Sequence, residues 1–197
     1  MKTFLAGFLS IALLAACSHA PVRTATPDPY PRVAFITNMG DFVVQLDRER
    51  APLSVANFLS YVEAGFYDGT LIHRVVPGFA IQGGGYTSAY ARKRTRTPVP
   101  NESGNGLTNT RGTIAMARSD APHSATSQFF INLADNRKLD PRPGHWGYAV
   151  FGTVVSGMAV VDRIAAVKTG KAGPFGKDAP LTQVIIVKAV ELQPSLD

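Results

Sequence analysis

From residue 33 to residue 190 the chain alternates short apolar runs with polar segments, and most of the runs are too brief for helices. Residues 33–37 and 42–46 read as strands, and Asn38-Met39-Gly40-Asp41 between them is a hairpin signal. Pro52 then opens a helix: Leu53, Val55, Ala56, Phe58, Leu59 and Val62 mark its apolar positions, and Gly65 ends it. In residues 69–85, G-T-L-I-H-R-V-V-P-G-F-A-I-Q-G-G-G, strands over 70–76 and 79–82 are hinged at Pro77-Gly78. Further strands are expected over 112–117, 128–133, 150–155 and 181–190, with a second helix over 158–166. Strands at short intervals with only two helices predict a mainly β fold, a closed antiparallel barrel whose ends the helices plug.

Two adjacent positions break this pattern in an informative way. His73 and Arg74 interrupt an otherwise apolar strand, and period-2 alternation puts Arg74 with Val76 on a surface built largely of apolar side chains. An always-charged guanidinium in that setting needs a partner, a ligand or a job. Two other features carry less. The basic run Arg92-Lys93-Arg94-Thr95-Arg96 lies in a polar segment over 87–109 without interleaved aromatics, so it reads as a solvated loop rather than a nucleic-acid surface. Gly83-Gly84-Gly85 lacks the G-K-[ST] ending of a phosphate loop and reads as a tight turn.

The amino terminus has a different character. Residues 1–16 carry one positive charge, Lys2, before an uncharged apolar run, the pattern of a signal peptide and shorter than the roughly 20 residues of a membrane span. Leu14-Ala15-Ala16-Cys17 resembles the bacterial lipoprotein box, in which cleavage precedes the cysteine and its sulfur receives a diacylglycerol. Cleavage after Ala20 is the alternative. Ser18 after the cysteine resembles lipoproteins sorted to the outer membrane. Residues 17–31 read as a Pro-rich tether, reaching on the order of 40 Å at about 3.1 Å per residue, and 193–197 as a tail beyond the domain over 32–192.

Composition narrows the chemistry. A chain of 197 residues, 45% hydrophobic and 17% charged, is long enough for one domain with a genuine core. A net charge of +6 is modest and argues for neither nucleic acid nor a membrane surface as partner. The single cysteine makes no internal disulfide, and His19, His73, His123 and His145 have no metal-ligand spacing, so no metal and no cofactor is expected.

Three ordered motifs add a family. H-R-V-V-P-G-F-A-I-Q-G-G from His73 closely resembles the signature of the cyclophilin family of peptidyl-prolyl isomerases. I-A-M-A-R-S-D-A-P-H-S-A-T-S-Q-F-F-I-N-L over 114–133 resembles the family's other wall, and G-Y-A-V-F-G-T over 147–153 follows at family-like spacing. The resemblance spans 32–192 and implies a closed eight-stranded antiparallel β-barrel capped by two α-helices. It further implies a monomeric isomerase of X-Pro bonds in unfolded or flexible proteins. With the export signal, that enzyme is expected in the bacterial envelope, lipid-anchored at Cys17 and facing the periplasm, on the outer membrane.

Prolyl isomerisation turns a C–N bond whose barrier is about 18–20 kcal/mol, maintained by resonance of the nitrogen lone pair into the carbonyl. A fixed cationic donor near that nitrogen favours the twisted state, where the nitrogen is the better acceptor, and no nucleophile or metal is required. By the family's pattern Arg74 is the donor, with Gln82 and Phe79 completing the catalytic set. His73, Ala80, Ala117, Arg118, Gln128, Phe130, Leu139 and Tyr148 are the implied substrate contacts. Phe79, Phe130 and Leu139 would line the proline socket, Gln82 would orient Arg74, and the backbone of Arg118 would pair with the peptide as a strand edge does. For Phe79 and Phe130 core packing is the composition-level alternative. His73 is expected to pack or hydrogen-bond rather than transfer a proton. The sequence departs from the family at Ala80, commonly methionine, at Tyr148, often histidine, and at Lys138, often an aromatic on which cyclosporin leans. Trp146 is a nearby substitute for that aromatic. A noncatalytic peptide-holding module would use the same groove.

Overall fold

The computed structural model describes residues 27–193. The signal over 1–16, Cys17 and the tether as far as residue 26 lie outside the described residues, as does the tail from 194. Eight strands close a barrel: β1 Arg32–Thr37, β2 Gly40–Leu46, β3 Thr70–Val76, β4 Ala80–Thr87, β5 Thr113–Met116, β6 Phe129–Asn132, β7 Val150–Ser156 and β10 Ile185–Leu192. They follow the order β1-β10-β3-β4-β6-β5-β7-β2, every pair antiparallel. Helix α1, Pro52–Glu63, lies against β10, and α2, Met158–Ala165, against β2. A hairpin, β8 Thr169–Ala172 and β9 Phe175–Pro180, forms a separate two-stranded sheet.

Alternation builds the core. Val33, Phe35 and Thr37 of β1 and Phe42, Val44 and Leu46 of β2 point inward, their neighbours outward. Phe35 and Phe42 are register partners and stack at 4.8 Å between ring centroids. Around them Phe58 of α1, Tyr67, Phe129 and Phe151 fill the interior, and Phe58 meets Phe129 edge-on at 5.9 Å. Tyr67 brings a hydroxyl into this apolar space. It donates to the Ser127 carbonyl at 2.8 Å, and burial holds its pKa well above the ordinary phenol value.

Helix α1 depends on a distant residue. Pro52 fits the first turn, but the residue before it, Ala51, has no side chain to cap the free amides. The Glu102 carboxylate does so instead, accepting from the amides of Leu53 at 3.0 Å and Ser54 at 2.7 Å and from Ser54 Oγ at 2.6 Å. The anion also meets the positive end of the helix dipole. Glu102→Ala should therefore cost about 1–2 kcal/mol, read as a lower urea midpoint at unchanged slope. At the other end the basic run is not wholly solvated. Lys93 Nζ donates to the Phe66 carbonyl and Arg96 Nη2 to the Ser60 carbonyl at 3.2 Å, while their cations lie over the rings of Phe66 and Tyr61. Arg92 and Arg94 remain exposed.

The structure alters the sequence-based expectation in other places too, and the last strand runs over Ile185–Leu192 rather than 181–190. Gly83, Gly84 and Gly85 belong to strand β4, not to a turn. At Gly84, φ is +81°, and a Cβ there would come within 2.8 Å of the Tyr67 ring, so the chain needs glycine for conformation and for space. Strict alternation in β3 fails because Ile72 pairs with Gly83 and Arg74 with Gln82, which leaves His73 as an extra residue. The β8–β9 hairpin was not expected, since T-G-K-A and F-G-K-D-A-P have no apolar periodicity to announce strands.

Candidate active site

On the outside of the barrel wall, a row of register partners crosses four strands: Arg74 of β3, Gln82 of β4, Phe130 of β6 and Ala115 of β5. Phe129 and Ile131 point into the barrel, so Phe130 points out, yet it is buried too. It forms a second, smaller core with Ala80, Ala115 and Val150, over which Phe79, Leu139 and Tyr148 pack. The space left between them is a pocket of about 430 Å³, including its open mouth. Phe130, Ala80 and Leu139 give it an apolar lining, Phe79 and Tyr148 stand at its sides, and Arg74, Gln82, Ala117 and Arg118 complete it. The apolar lining with polar groups at its rim suits a small apolar ring with an attached amide.

Arg74 stands at the rim, its guanidinium carbon 5.9 Å from the centroid of Phe79. Its side chain is 38% exposed, and its one ionic neighbour among the described residues is Asp178, 3.8 Å from Nε. Gln82 does not bond Arg74 here. Its amide donates to Gln128 Oε1 at 3.1 Å, and Gln128 lines an adjoining, more polar depression that shares Gln82, Ala117 and Arg118 with the pocket.

The wall facing Arg74 is held by Arg118. Its guanidinium donates to the carbonyls of Gly147 at 3.2 Å, Ser119 at 2.9 Å and Trp146 at 2.8 Å, and lies 4.6 Å from the centre of the Tyr148 ring. Opposite, a buried asparagine network fixes Phe79. Asn136 donates to the Phe79 carbonyl and to Asn132 Oδ1, both at 2.8 Å, Asn132 donates to Asn109, and Asn109 donates to Asp140. None of these supports carried a sequence signal, since isolated asparagines in polar loops look like turn residues.

The structure gathers nine of the eleven expected site residues around this pocket and leaves out His73 and Gln128. The bulge turns His73 away. It is 3% exposed, stacks on Phe175 at 5.1 Å, meets Tyr86 at 4.8 Å, and its Nδ1 has no hydrogen-bond partner among the described residues. It is a packing residue behind the wall, not a contact in the pocket. Trp146 does not line the pocket either; it packs edge-on against His123 at 5.0 Å, and Lys138 Nζ sits 5.2 Å from the Phe79 centroid.

Burial pushes the His73 pKa down to about 4, with a backbone hydrogen bond to Leu71 opposing and the Arg74 charge adding. The unfolded chain, at about 6.5, takes up this proton first, so the contribution is complete above that pH and is lost on acidification until about pH 4. The loss should approach about 3 kcal/mol. Urea melts at pH 7 and pH 4.5 check this, and His73→Phe should flatten the difference.

Among the described residues no group of three or more His, Cys, Asp or Glu side chains converges on a metal site. Residues 32–191 match the family model for cyclophilin type peptidyl-prolyl cis-trans isomerase/CLD. The chain is 47% identical over 188 residues to peptidyl-prolyl cis-trans isomerase A of Dickeya dadantii, covering 95% of this chain and 96% of that protein. It is 52% identical over 157 residues to peptidyl-prolyl cis-trans isomerase B of Escherichia coli, covering 78% and 95%. The crystal structure of a cyclophilin type peptidyl-prolyl cis-trans isomerase from Cryptosporidium parvum superposes with a TM-score of 0.68 at 26% identity, covering 83% of this chain and 98% of that one. A second structure of that protein, in the presence of the dipeptide Ala-Pro, gives 0.67 at the same identity, covering 82% and 99%. With the barrel, the row of residues across its outer wall and these relatives in agreement, this chain belongs to the cyclophilin-type peptidyl-prolyl cis-trans isomerase family.

Proposed function

We propose that Arg74 drives the isomerisation by stabilising the prolyl amide in its twisted state, while the pocket over Phe130 holds the proline ring. The observation that carries this is the placement of Arg74: a half-exposed guanidinium beside Phe79, in register with Gln82 and Phe130, with no hydrogen bond to its terminal nitrogens among the described residues. As the C–N bond turns, the lone pair leaves conjugation and becomes an acceptor, and a charged donor then gains about 1.5–3 kcal/mol that the planar amide does not offer. That supplies on the order of ten- to a hundredfold. Gln82 and the main chain of Arg118 hold the peptide on either side of the bond. Phe79, Ala80, Leu139 and Tyr148 keep water from the proline, so the amide twists in a medium that does not favour the planar, more polar form.

The clients are X-Pro segments of unfolded or flexible envelope proteins, whose uncatalysed isomerisation takes tens to hundreds of seconds. The enzyme acts as a monomer, anchored by lipid at Cys17 to the outer membrane and facing the periplasm. The export-like run before Leu14-Ala15-Ala16-Cys17 and the four prolines between residues 18 and 31 support that arrangement. Two measurements test the reading. Isomerisation of a short Ala-Pro peptide is compared with its binding affinity, and binding without acceleration would replace catalysis by a holding role. Mass spectrometry of the membrane fraction should find a diacylglyceryl group on an amino-terminal Cys17; a chain beginning after Ala20 would remove the anchor.

A further inference from the structure

The hairpin that the sequence did not announce sits against the one strand that carries Arg74. Phe175 of β9 stacks on His73, and Tyr86 and Tyr90 close around Phe175 at 5.0 and 6.3 Å. That aromatic contact fixes β9 on the bulge in β3. A second irregularity lies three residues further on. Gly170 pairs with Ala179 and Ala172 with Phe175, so one residue of β8 faces three of β9, 176–178. Asp178 is the last of these, and its backbone is left-handed, with φ of 63°. Bulges of this kind re-aim a side chain.

A left-handed aspartate is ordinarily explained by a hydrogen bond between its carboxylate and nearby backbone. Asp178 makes none among the described residues. Among the described residues the one ionic partner of its carboxylate is Arg74, whose Nε lies 3.8 Å away. We infer that Asp178 is a positioning residue for Arg74: its carboxylate draws the Nε edge of the guanidinium toward the hairpin, which leaves the two terminal nitrogens for the amide in the pocket. This rests on the proposed role of Arg74.

The geometry suits such a task better than a lock. At 3.8 Å and with both side chains partly exposed, the pair is an attraction without a hydrogen bond, so it biases the long side chain without tying it. A free arginine spreads over many rotamers, and only the fraction aimed at the pocket can serve the twisted amide. Asp178 raises that fraction. Asp178 itself is not among the residues that line the pocket.

The test separates positioning from folding, because strain and function pull in opposite directions at this residue. Asp178→Gly removes the left-handed strain together with the carboxylate. It should melt at or above the wild-type temperature, yet turn over an Ala-Pro peptide five- to tenfold more slowly, with KM within about twofold. Asp178→Asn keeps an acceptor oxygen at the same place and should recover part of the loss. In an Arg74→Ala background Asp178→Gly should have no further effect. A wild-type kcat in Asp178→Gly would overturn the positioning role alone if Arg74→Ala is slow. The same role falls if the loss in Asp178→Gly persists undiminished in the Arg74→Ala background. Full activity in Arg74→Ala would overturn both readings together.

Discussion

Replacing Arg74 by alanine should lower kcat/KM for an Ala-Pro peptide about a hundredfold while leaving the protein folded. On the proposed role of Arg74 the loss should fall on kcat, because a donor that acts on the twisted amide adds little to binding of the planar ground state. Stability should change by less than about 1 kcal/mol. The ion pair with Asp178 is long and partly exposed, and no buried group is left unpaired when the side chain goes. Arg74→Lys should be nearly as slow as the alanine variant. An ammonium keeps the charge but not the planar fork, so it cannot face Asp178 with one nitrogen and the amide with two others. Protease-coupled kinetics at matched substrate concentrations, beside thermal melts, check both variants. Activity within severalfold of wild type in either would remove Arg74 from its role.

How much of this was legible before the structure depends on how local each signal is. Residues 33–37 and 42–46 announced β1 and β2 because one face of each is buried and alternation is intact. Helix α1 was legible from its apolar spacing, but its cap was not: Glu102 lies 49 residues from Leu53, and no window reaches so far. The motif around His73 pointed to Arg74, Phe79 and Gln82, and the fold brings them to one pocket. The same motif implied a substrate contact at His73, but His73 is the extra residue of a bulge and packs on Phe175, in keeping with the packing role also expected of it. Asp178 had no signal of any kind. Its hairpin has lysines and glycines where a strand has apolar residues, and it is held by the contact of Phe175 with His73, which appears only when the chain is folded. The residues that line the pocket are therefore largely readable from nearby sequence, and those that hold its walls are not.

The opposite wall yields the other large effect, from the smallest possible change. Gly147 is buried, and a Cβ on it would stand 2.5 Å from the Pro141 nitrogen and 2.6 Å from the Leu139 carbonyl oxygen. Both obstacles are backbone, which cannot swing aside as a side chain would. The segment is also tied from every direction. The Gly147 amide donates to Ser103 Oγ at 3.1 Å, its carbonyl accepts from Asn101 at 3.0 Å and Arg118 at 3.2 Å, and the Tyr148 amide donates to Leu139 at 2.9 Å. Gly147→Ala should therefore cost about 3 kcal/mol, at the upper end for overpacking. In a chain of this size that lowers the melting temperature by roughly 6–12 °C. Because relief comes by moving Leu139 away from Tyr148, the pocket should widen on the side facing Arg74. Isomerase activity should then fall at least about tenfold at a temperature where the variant is still folded. Gly104→Ala is the control. Gly104 is exposed, a Cβ on it meets nothing within 4 Å, and there the substitution should be neutral or add up to about 1 kcal/mol by restricting the unfolded chain. Equal melting temperatures for the two variants would mean that the close approach at Gly147 is not what shapes this wall.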